Sequence, residues 1–343
     1  MSQKIQAELD AILHGAAVAS LDDRAFLRVT GSDATRWLNG MVTNSVQALG
    51  PGEGCYAFLL NAQGRILGDC TIYREPNGDK SAFVLATSKE QVDAIQKHLD
   101  HFIIMDDVEL SPAYELNHTM LLVGPEALNI LRSIGPQLDP EFSYREYTPL
   151  HLCRYEGWTQ VIAPADGLVP RFEITVDYPF DSSPGRSLFA TAKSAGATEV
   201  SAEALEAFRL LEGRPLYGRD ITEKYLPQET NQLQALHFNK GCYLGQEIVE
   251  RIRSRGQVHR LLTPLTLTGK LPAEFPTPIQ ADGKPAGEIT SAALVPLPEG
   301  DQILALGYVR REALDTHASL TYAGGTAAPR SAAQVQTAAG ASK

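Results

Sequence analysis

Cys55-Tyr-Ala-Phe-Leu-Leu-Asn-Ala-Gln-Gly-Arg-Ile-Leu-Gly-Asp-Cys-Thr-Ile-Tyr-Arg74 reads as two β-strands, Cys55 to Leu60 and Arg65 to Arg74, joined by the turn formers Asn61 to Gly64. A third strand, Ser81 to Thr87, follows the turn Glu75-Pro-Asn-Gly-Asp79, which makes an antiparallel meander. Ser88 and Gln91 have the spacing of a capping box, ahead of a helix that turns Val92, Ile95, Leu99 and Phe102 inward. Val108 to Leu110 returns as a strand. Strands with a covering helix define an α+β unit over about residues 51–115.

Upstream, Ile5, Leu9, Ile12 and Leu13 share one stripe of a helix with Ser2 as cap and Gly15 as stop. Phe26 to Val29 is strand-like, and Ser32 is placed to cap a short helix ending at Asn39-Gly40. Downstream, Met120 to Val123 leads into a helix from Ala127 to Ile134 that Gly135 should stop. Strands at His151 to Tyr155, Gln160 to Ala163 and Arg171 to Val176, and helices near Arg186 to Ala195 and Ala202 to Glu212, complete this part. Beyond Gly256, Val258 to Thr268 alternates, and Glu288 to Val309 gives strands broken by Pro296, Pro298 and Gly300. The expected order is an α+β region over 1–255, a small all-β barrel over 256–322, and a disordered tail over 323–343 rich in Ala, Gly, Ser and Thr.

The 343 residues, 43% of them hydrophobic, suffice for two or three domains with proper cores. The net charge of −11 argues against broad electrostatic binding to nucleic acid or anionic membrane, so an anionic ligand needs a local basic cluster. No run approaches the ~20 apolar residues of a membrane helix, and the N-terminus lacks a signal pattern. A cytoplasmic protein, with neither membrane nor direct nucleic-acid partner, is expected. Four cysteines, at 55, 70, 153 and 242, form no Cys-x-x-Cys pair, so a metal held wholly by this chain is not expected.

Cys55, Cys70 and Cys153 sit in strand-like surroundings that suggest buried, inert thiols. Cys242 differs. It lies in Lys240-Gly-Cys-Tyr-Leu-Gly-Gln-Glu247, between Gly241 and Gly245, just ahead of a helix expected from Gln246, with Lys240 as a nearby cation. A helix N-terminus and a cation both stabilise a thiolate. Arg251, Arg253 and Arg255 read either as a solvated face or as a cradle for carboxylates. A second group, Arg209, Glu212 to Thr222 and Pro227-Gln-Glu229, is a helix end and loop whose carboxylates and arginines form either salt bridges or a site. Asp69, on the strand after the Gly64 turn, is a third.

These segments in this order resemble the aminomethyltransferase-like folate-binding family. Lys240-Gly-Cys-Tyr-Leu-Gly-Gln-Glu247 is similar to the K-G-C-Y-x-G-Q-E signature of its YgfZ branch, which includes the mitochondrial iron–sulfur assembly relative. The likeness runs from about Phe26, through Trp37-Leu-Asn-Gly-Met-Val-Thr-Asn44, to Val309-Arg-Arg311. It implies a T-protein-like ring of three subdomains, two of them interwoven α+β units and the third the barrel. It also implies tetrahydrofolate, or a one-carbon derivative, bound by Asp69, Glu229, Tyr217, Arg251 and Arg65, with Glu229 on the pterin. Cys242 and Lys240 are the implied chemical residues, with Gly241, Tyr243, Gly245, Gln246 and Glu247 completing the motif. Support for assembly or repair of iron–sulfur enzymes, tRNA-modifying ones included, is the implied role, with such enzymes or assembly factors as partners. Two other readings are an aminomethyltransferase and a non-catalytic folate-sensing scaffold. Gly68 stands where the T-protein carries the earlier of two adjacent aspartates, and Arg65 where it prefers glycine, which tells against aminomethyl transfer.

Overall fold

The computed structural model describes residues 2–76, 82–113, 118–138, 150–155, 159–163, 167–176, 183–256 and 258–331. Helix α1 (Ser2–His14) leads to strand β1 (Ala17–Ser20). There follow β2 (Arg24–Thr30), α2 (Ala34–Met41), β3 (Gly54–Leu60), β4 (Ile66–Arg74), β5 (Phe83–Ser88), α3 (Lys89–Asp100) and β6 (Glu109–Pro112). Their five strands form one sheet in the order β3-β4-β5-β2-β6.

Next come β7 (His118–Val123), α4 (Ala127–Leu138), β8 (His151–Tyr155), β9 (Thr159–Ala163), β10 (Arg171–Val176), α5 (Ser183–Ser194), β11 (Thr198–Glu199) and α6 (Ala202–Glu212). With β1 they form a six-stranded sheet, β11-β1-β7-β10-β9-β8. Because β1 precedes the five-stranded unit and β7 follows it, one α+β unit is inserted into the other. The inserted unit begins at Arg24 rather than near residue 51, since β2 pairs with both β5 and β6.

A loop with short 3₁₀ turns at Pro227–Thr230 and Leu233–Ala235 leads to α7 (Gln246–Arg255). Then β12 (Arg260–Gly269), β13 (Thr277–Ala281), β14 (Lys284–Leu297), β15 (Gly300–Arg310), α8 (Arg311–Asp315), β16 (Leu320–Tyr322) and β17 (Gly325–Pro329) build the barrel. It closes in the order β12-β15-β14-β13-β16-β17. Closure removes the exposed strand edges that an open sheet would present.

Apolar packing joins the three parts. Leu9 and Ile12 of α1, Phe208 and Leu211 of α6, and Leu304 and Leu306 of the barrel share one core. Phe26, Tyr73 and Val84 of the inserted sheet meet Leu152 and Ile162 of the other. Arg24 on β2 also pairs with Glu173 on β10.

Several sequence expectations are corrected. Ser32 does not cap α2; its hydroxyl donates to Asp107 at 2.7 Å, and Asp33 occupies the cap position. Gly135 does not stop α4, because Ile130, Leu131 and Ile134 lie in a shared core that carries the helix past a weak former. Pro296 does not break β14, where it pairs opposite Asp301 beside the hairpin turn. The disordered tail expected from 323 is wrong for 325–329: these small residues hydrogen-bond through their backbones to β12 and β16, and Ala327 is buried. Residues 332–343, and the turn at 77–79, lie outside the described residues.

Candidate functional site

The three segments singled out in the sequence converge on one apolar cluster. Phe58 and Leu60 of β3, Ile66 of β4, Ile221 of the loop after α6, and Leu236, Tyr243 and Val249 pack together, with Tyr56, Tyr217 and Phe238 at the margin. Contact between the segments is at backbone distance. Gly245 adopts φ +80°, and a Cβ there would lie 2.6 Å from the Asn61 carbonyl oxygen and 2.9 Å from the Leu60 Cβ. Gly64 meets Ile248 in the same way, so the β3–β4 turn and the start of α7 fit only because neither glycine carries a side chain.

Asp69 stands opposite Phe58 on β4, on the side facing this cluster. The β4–β5 ladder begins at Thr71, leaving the Asp69 backbone to other partners. Gln91 supplies one: its Oε1 accepts from the Asp69 N–H at 3.0 Å and its Nε2 donates to Oδ1 at 3.0 Å. Gln91 thus clamps Asp69 instead of completing a capping box, and the Ser88 side chain makes no cap bond. The Tyr56 hydroxyl donates to Oδ2 at 2.7 Å. Burial pushes the Asp69 carboxyl above the usual carboxylate range, against the pull of the Tyr56 and Gln91 bonds. The Tyr217 hydroxyl donates to the Leu67 carbonyl at 2.6 Å, and burial pushes its phenol up to about 12.

Gly68 points the other way. A Cβ there would lie 3.0 Å from Ile95 Cγ1 and 3.3 Å from Gln91 Oε1, under α3. The departure at Gly68 therefore removes no carboxylate from the Asp69 side, and the sequence argument against aminomethyl transfer loses that support.

Glu229 is buried on the 3₁₀ turn after Leu226. Its Oε1 accepts from Arg260 Nε at 2.9 Å, and its Oε2 accepts from the Leu226 N–H at 2.9 Å and from Arg260 Nη2 at 3.3 Å. Arg260 lies over the stacked rings of Tyr225 and Tyr308, 4.9 and 5.5 Å from their centroids. Burial raises the Tyr308 phenol, with Tyr225 and Glu229 adding to the effect, and Tyr308 in turn contributes to the rise at Tyr56. Arg260, Tyr225, Tyr308 and Gln91 were not assigned from sequence; their roles rest on partners 22 to 83 residues away, which spacing does not reveal.

The segment Trp37 to Asn44, the end of α2 and the residues just after it, carries the Cys242 loop. Thr43 donates its hydroxyl to the Ala235 carbonyl at 2.7 Å, the His237 N–H donates to Thr43, and the Leu244 N–H to Gly40. Lys240 completes the strap: its ammonium donates to the carbonyls of Asn39, Val42 and Asn44 at 2.5, 2.7 and 2.6 Å. Those carbonyls lie at the end of α2, where a cation is favoured. Burial pulls the Lys240 ammonium down to about 8. Lys240 is thus a clamp: its ammonium protons are committed to the end of α2, and its charge also acts on the buried Cys55 thiol. The helix expected from Gln246 is α7, whose cap is Gly245, three residues after Cys242.

Cys242 is exposed, whereas Cys55, Cys70 and Cys153 are buried. Gly241 beside it is also exposed, and a Cβ there would meet nothing within 4 Å. Gln246 reaches back to accept from the Tyr243 N–H at 3.2 Å. Glu247 and Arg251 pair with each other at 2.7 Å on the exposed face of α7. Arg253 pairs with Glu250 and lies over Phe238. Both arginines are thus paired with acidic neighbours on α7, and among the described residues no hydrogen bond or ion pair joins Arg251 to Asp69 or Glu229; the Arg255 side chain lies outside the described residues.

Arg65 donates to the Lys224 carbonyl at 2.9 Å, where Arg260 Nη2 also points at 3.3 Å. A folate fits this donor and acceptor set. Each Asp69 oxygen accepts one bond and keeps a second acceptor position, and Glu229 keeps one on Oε1. Acceptors beside the phenols of Tyr56, Tyr217 and Tyr225 suit a flat ring that carries several N–H donors. Among the described residues, no group of three or more His, Cys, Asp or Glu is placed to hold a metal, and no helix is long and apolar enough to cross a membrane.

Comparison with known proteins agrees with this layout. Residues 1–240 match the family described as GCVT N-terminal domain, and residues 260–337 match the CAF17 C-terminal beta-barrel domain. The chain is 30% identical to the mitochondrial iron–sulfur cluster assembly factor IBA57 of Mus musculus, over 78% of this chain and 72% of that protein. It is 28% identical to an aminomethyltransferase of Synechocystis sp., over 83% of this chain and 74% of the relative. The crystal structure of the glycine cleavage system aminomethyltransferase T from Bartonella henselae superposes with a TM-score of 0.82 at 19% identity, covering 96% of this chain and 89% of that one. That likeness establishes a T-protein-like α+β fold with a C-terminal barrel.

Proposed function

The chain belongs to the GCVT N-terminal domain family and carries the CAF17-type barrel, and from that premise we propose that it binds a tetrahydrofolate and uses Cys242 to support assembly or repair of iron–sulfur enzymes. Its relation to IBA57 supports the iron–sulfur part. The observation that carries the reading is the contrast among the thiols: Cys242 stands in solvent on a loop strapped to α2 by Lys240, while the other three are buried. An exposed thiol on a fixed loop can be reached by a partner protein and presented in one geometry.

Asp69 and Glu229 would accept from the N–H groups of the ring, Tyr217 would border it, and Arg65 would meet its anionic end. The bound folate supplies a carrier for one-carbon units. Gln91 and Tyr56 hold Asp69 in place, and Arg260 does the same for Glu229. A net charge of −11 agrees with an indirect link to tRNA, through iron–sulfur enzymes that modify it, in the cytoplasm. In cells lacking the chain, wild type should restore an iron–sulfur dehydratase and Cys242→Ser should not. Equal restoration by both would sink the role given to Cys242.

Aminomethyl transfer to tetrahydrofolate is a second reading, favoured by Asp69, which keeps two acceptor positions beside the cluster. A reconstituted glycine-cleavage assay tests it directly: turnover with this chain in place of the T component supports it, and its absence removes it.

A further inference from the structure

We infer that Ile104 and Met105, at the tip of the loop after α3, are a docking anchor for the iron–sulfur protein that Cys242 serves, and that they seat in an apolar cleft of that protein with a basic edge. The inference rests on the role given to Cys242 above. The loop His101-Phe-Ile-Ile-Met-Asp-Asp-Val108 divides its apolar side chains. Phe102, Ile103 and Val108 pack on the core that holds Leu27 and Trp37, whereas Ile104 and Met105 are 83% and 94% exposed. Both shoulders of the tip are fixed. On one side the Trp37 indole donates to the Phe102 carbonyl at 3.2 Å. On the other, Arg36 pairs with Asp106, the Asp107 N–H donates to Asp33 at 3.0 Å, and the Ser32 hydroxyl donates to Asp107 at 2.7 Å. An apolar pair held out by a fixed backbone contributes little to folding, and its backbone has little freedom left to lose when a partner covers it.

Position ties the tip to the thiol. Arg36 and Gly40 are four residues apart, on one face of α2. Arg36 reaches Asp106, next to Met105. Gly40 backs the Cys242 loop: its carbonyl accepts from the Leu244 N–H at 3.0 Å, and a Cβ on it would lie 4.0 Å from the Cys242 carbonyl oxygen. The two attachments are about one helical turn apart, about 6 Å along the axis. A protein seated on the tip therefore stands at the Cys242 loop. Charge narrows the occupant. Asp33, Asp106 and Asp107 flank the tip, and Arg36 is shared between the first two, so a cationic edge is complementary to this rim. A second copy of this chain, with its net charge of −11, or an anionic membrane would meet the rim with like charge.

Restoration of an iron–sulfur dehydratase in cells lacking the chain, with expression titrated, tests this. A variant with Ile104→Ser together with Met105→Ser should need about tenfold more protein than wild type for equal restoration, as expected when two apolar contacts are weakened. Raised expression should rescue it by mass action, whereas Cys242→Ser should stay inactive at every level. Its melting temperature and its rate of Cys242 alkylation should match wild type. Met105→Lys should be impaired more than Met105→Glu, because the cation would face the basic edge. Restoration by the double variant at wild-type levels, or the reverse order for Lys and Glu, would overturn the inference while leaving the role of Cys242 standing. So would a wild-type dimer in sedimentation that the double variant dissociates, which assigns the tip to a second copy. Flotation of wild type with phosphatidylglycerol vesicles, lost in the double variant, would overturn it in favour of a membrane. No restoration by wild type, or equal restoration by Cys242→Ser, would overturn both readings.

Discussion

The Lys240 ammonium lies 2.7 Å from the Val42 carbonyl oxygen, and with Asn39 and Asn44 it ties the Cys242 loop to the end of α2. A cation spent in this way orders the loop, its protons given to three carbonyls. Lys240→Met should lower the stability of the fold by about 2 kcal/mol in urea denaturation, since charged hydrogen bonds to carbonyls are lost. Alkylation of folded wild type should label one thiol of four quickly, and Lys240→Met should label it at least as fast. Slower labelling in the variant would restore Lys240 as an activating group.

The same lysine has a pH signature. Its folded value is about 8, below the ordinary lysine value near 10.4, so between the two the unfolded chain binds more protons than the folded one. Stability contributed at this position therefore rises as pH goes from about 8 to about 10. Urea midpoints should converge on those of Lys240→Met at neither end; wild type should gain on the variant across that interval. A gap that narrows there contradicts the burial of the ammonium.

Two glycines of the signature make opposite predictions. Gly245→Ala forces a Cβ to 2.6 Å from a carbonyl at φ +80° and should cost about 3 kcal/mol or more. Gly241→Ala meets no atom within 4 Å and should change stability by under ~0.5 kcal/mol. Thermal melts of the two variants decide this; similar losses would mean the Cys242 loop packs differently.

Much of this was legible in sequence where the signal is local. The strand pair Cys55 to Arg74 and helix α6 are set by nearby residues: turn formers at Asn61 and Gly64, and Ser201, whose side chain accepts from the Ala204 N–H. What was hidden depends on distant partners. Lys240 finds Asn39 201 residues away, and Glu229 finds Arg260 on the first barrel strand. The alanine and glycine strand Gly325–Pro329 carried no apolar pattern, because backbone ladders hold it in the barrel. Neither burial of Gly68 under α3 nor the exposure of Gly241 can be read from glycine itself.

Asp220 is fully buried in the loop that carries Tyr217, and accepts from Arg209, the Leu216 N–H, Thr290 and Ser291. It joins that loop to the barrel. Asp220→Ala leaves Arg209 and two hydroxyls without this partner and should cost about 3–5 kcal/mol in urea denaturation. A loss under about 1 kcal/mol would mean the loop is held by other contacts.

The most direct test is titration calorimetry of 5-formyltetrahydrofolate into wild type, Asp69→Ala and Cys242→Ser. Asp69 keeps acceptor positions on both oxygens and Cys242 stands on a separate exposed loop, so the expected result is saturable binding in wild type, retained in Cys242→Ser and lost in Asp69→Ala. Wild type that binds nothing, or Asp69→Ala that binds as tightly as wild type, would contradict a folate site between β4 and the Tyr217 loop.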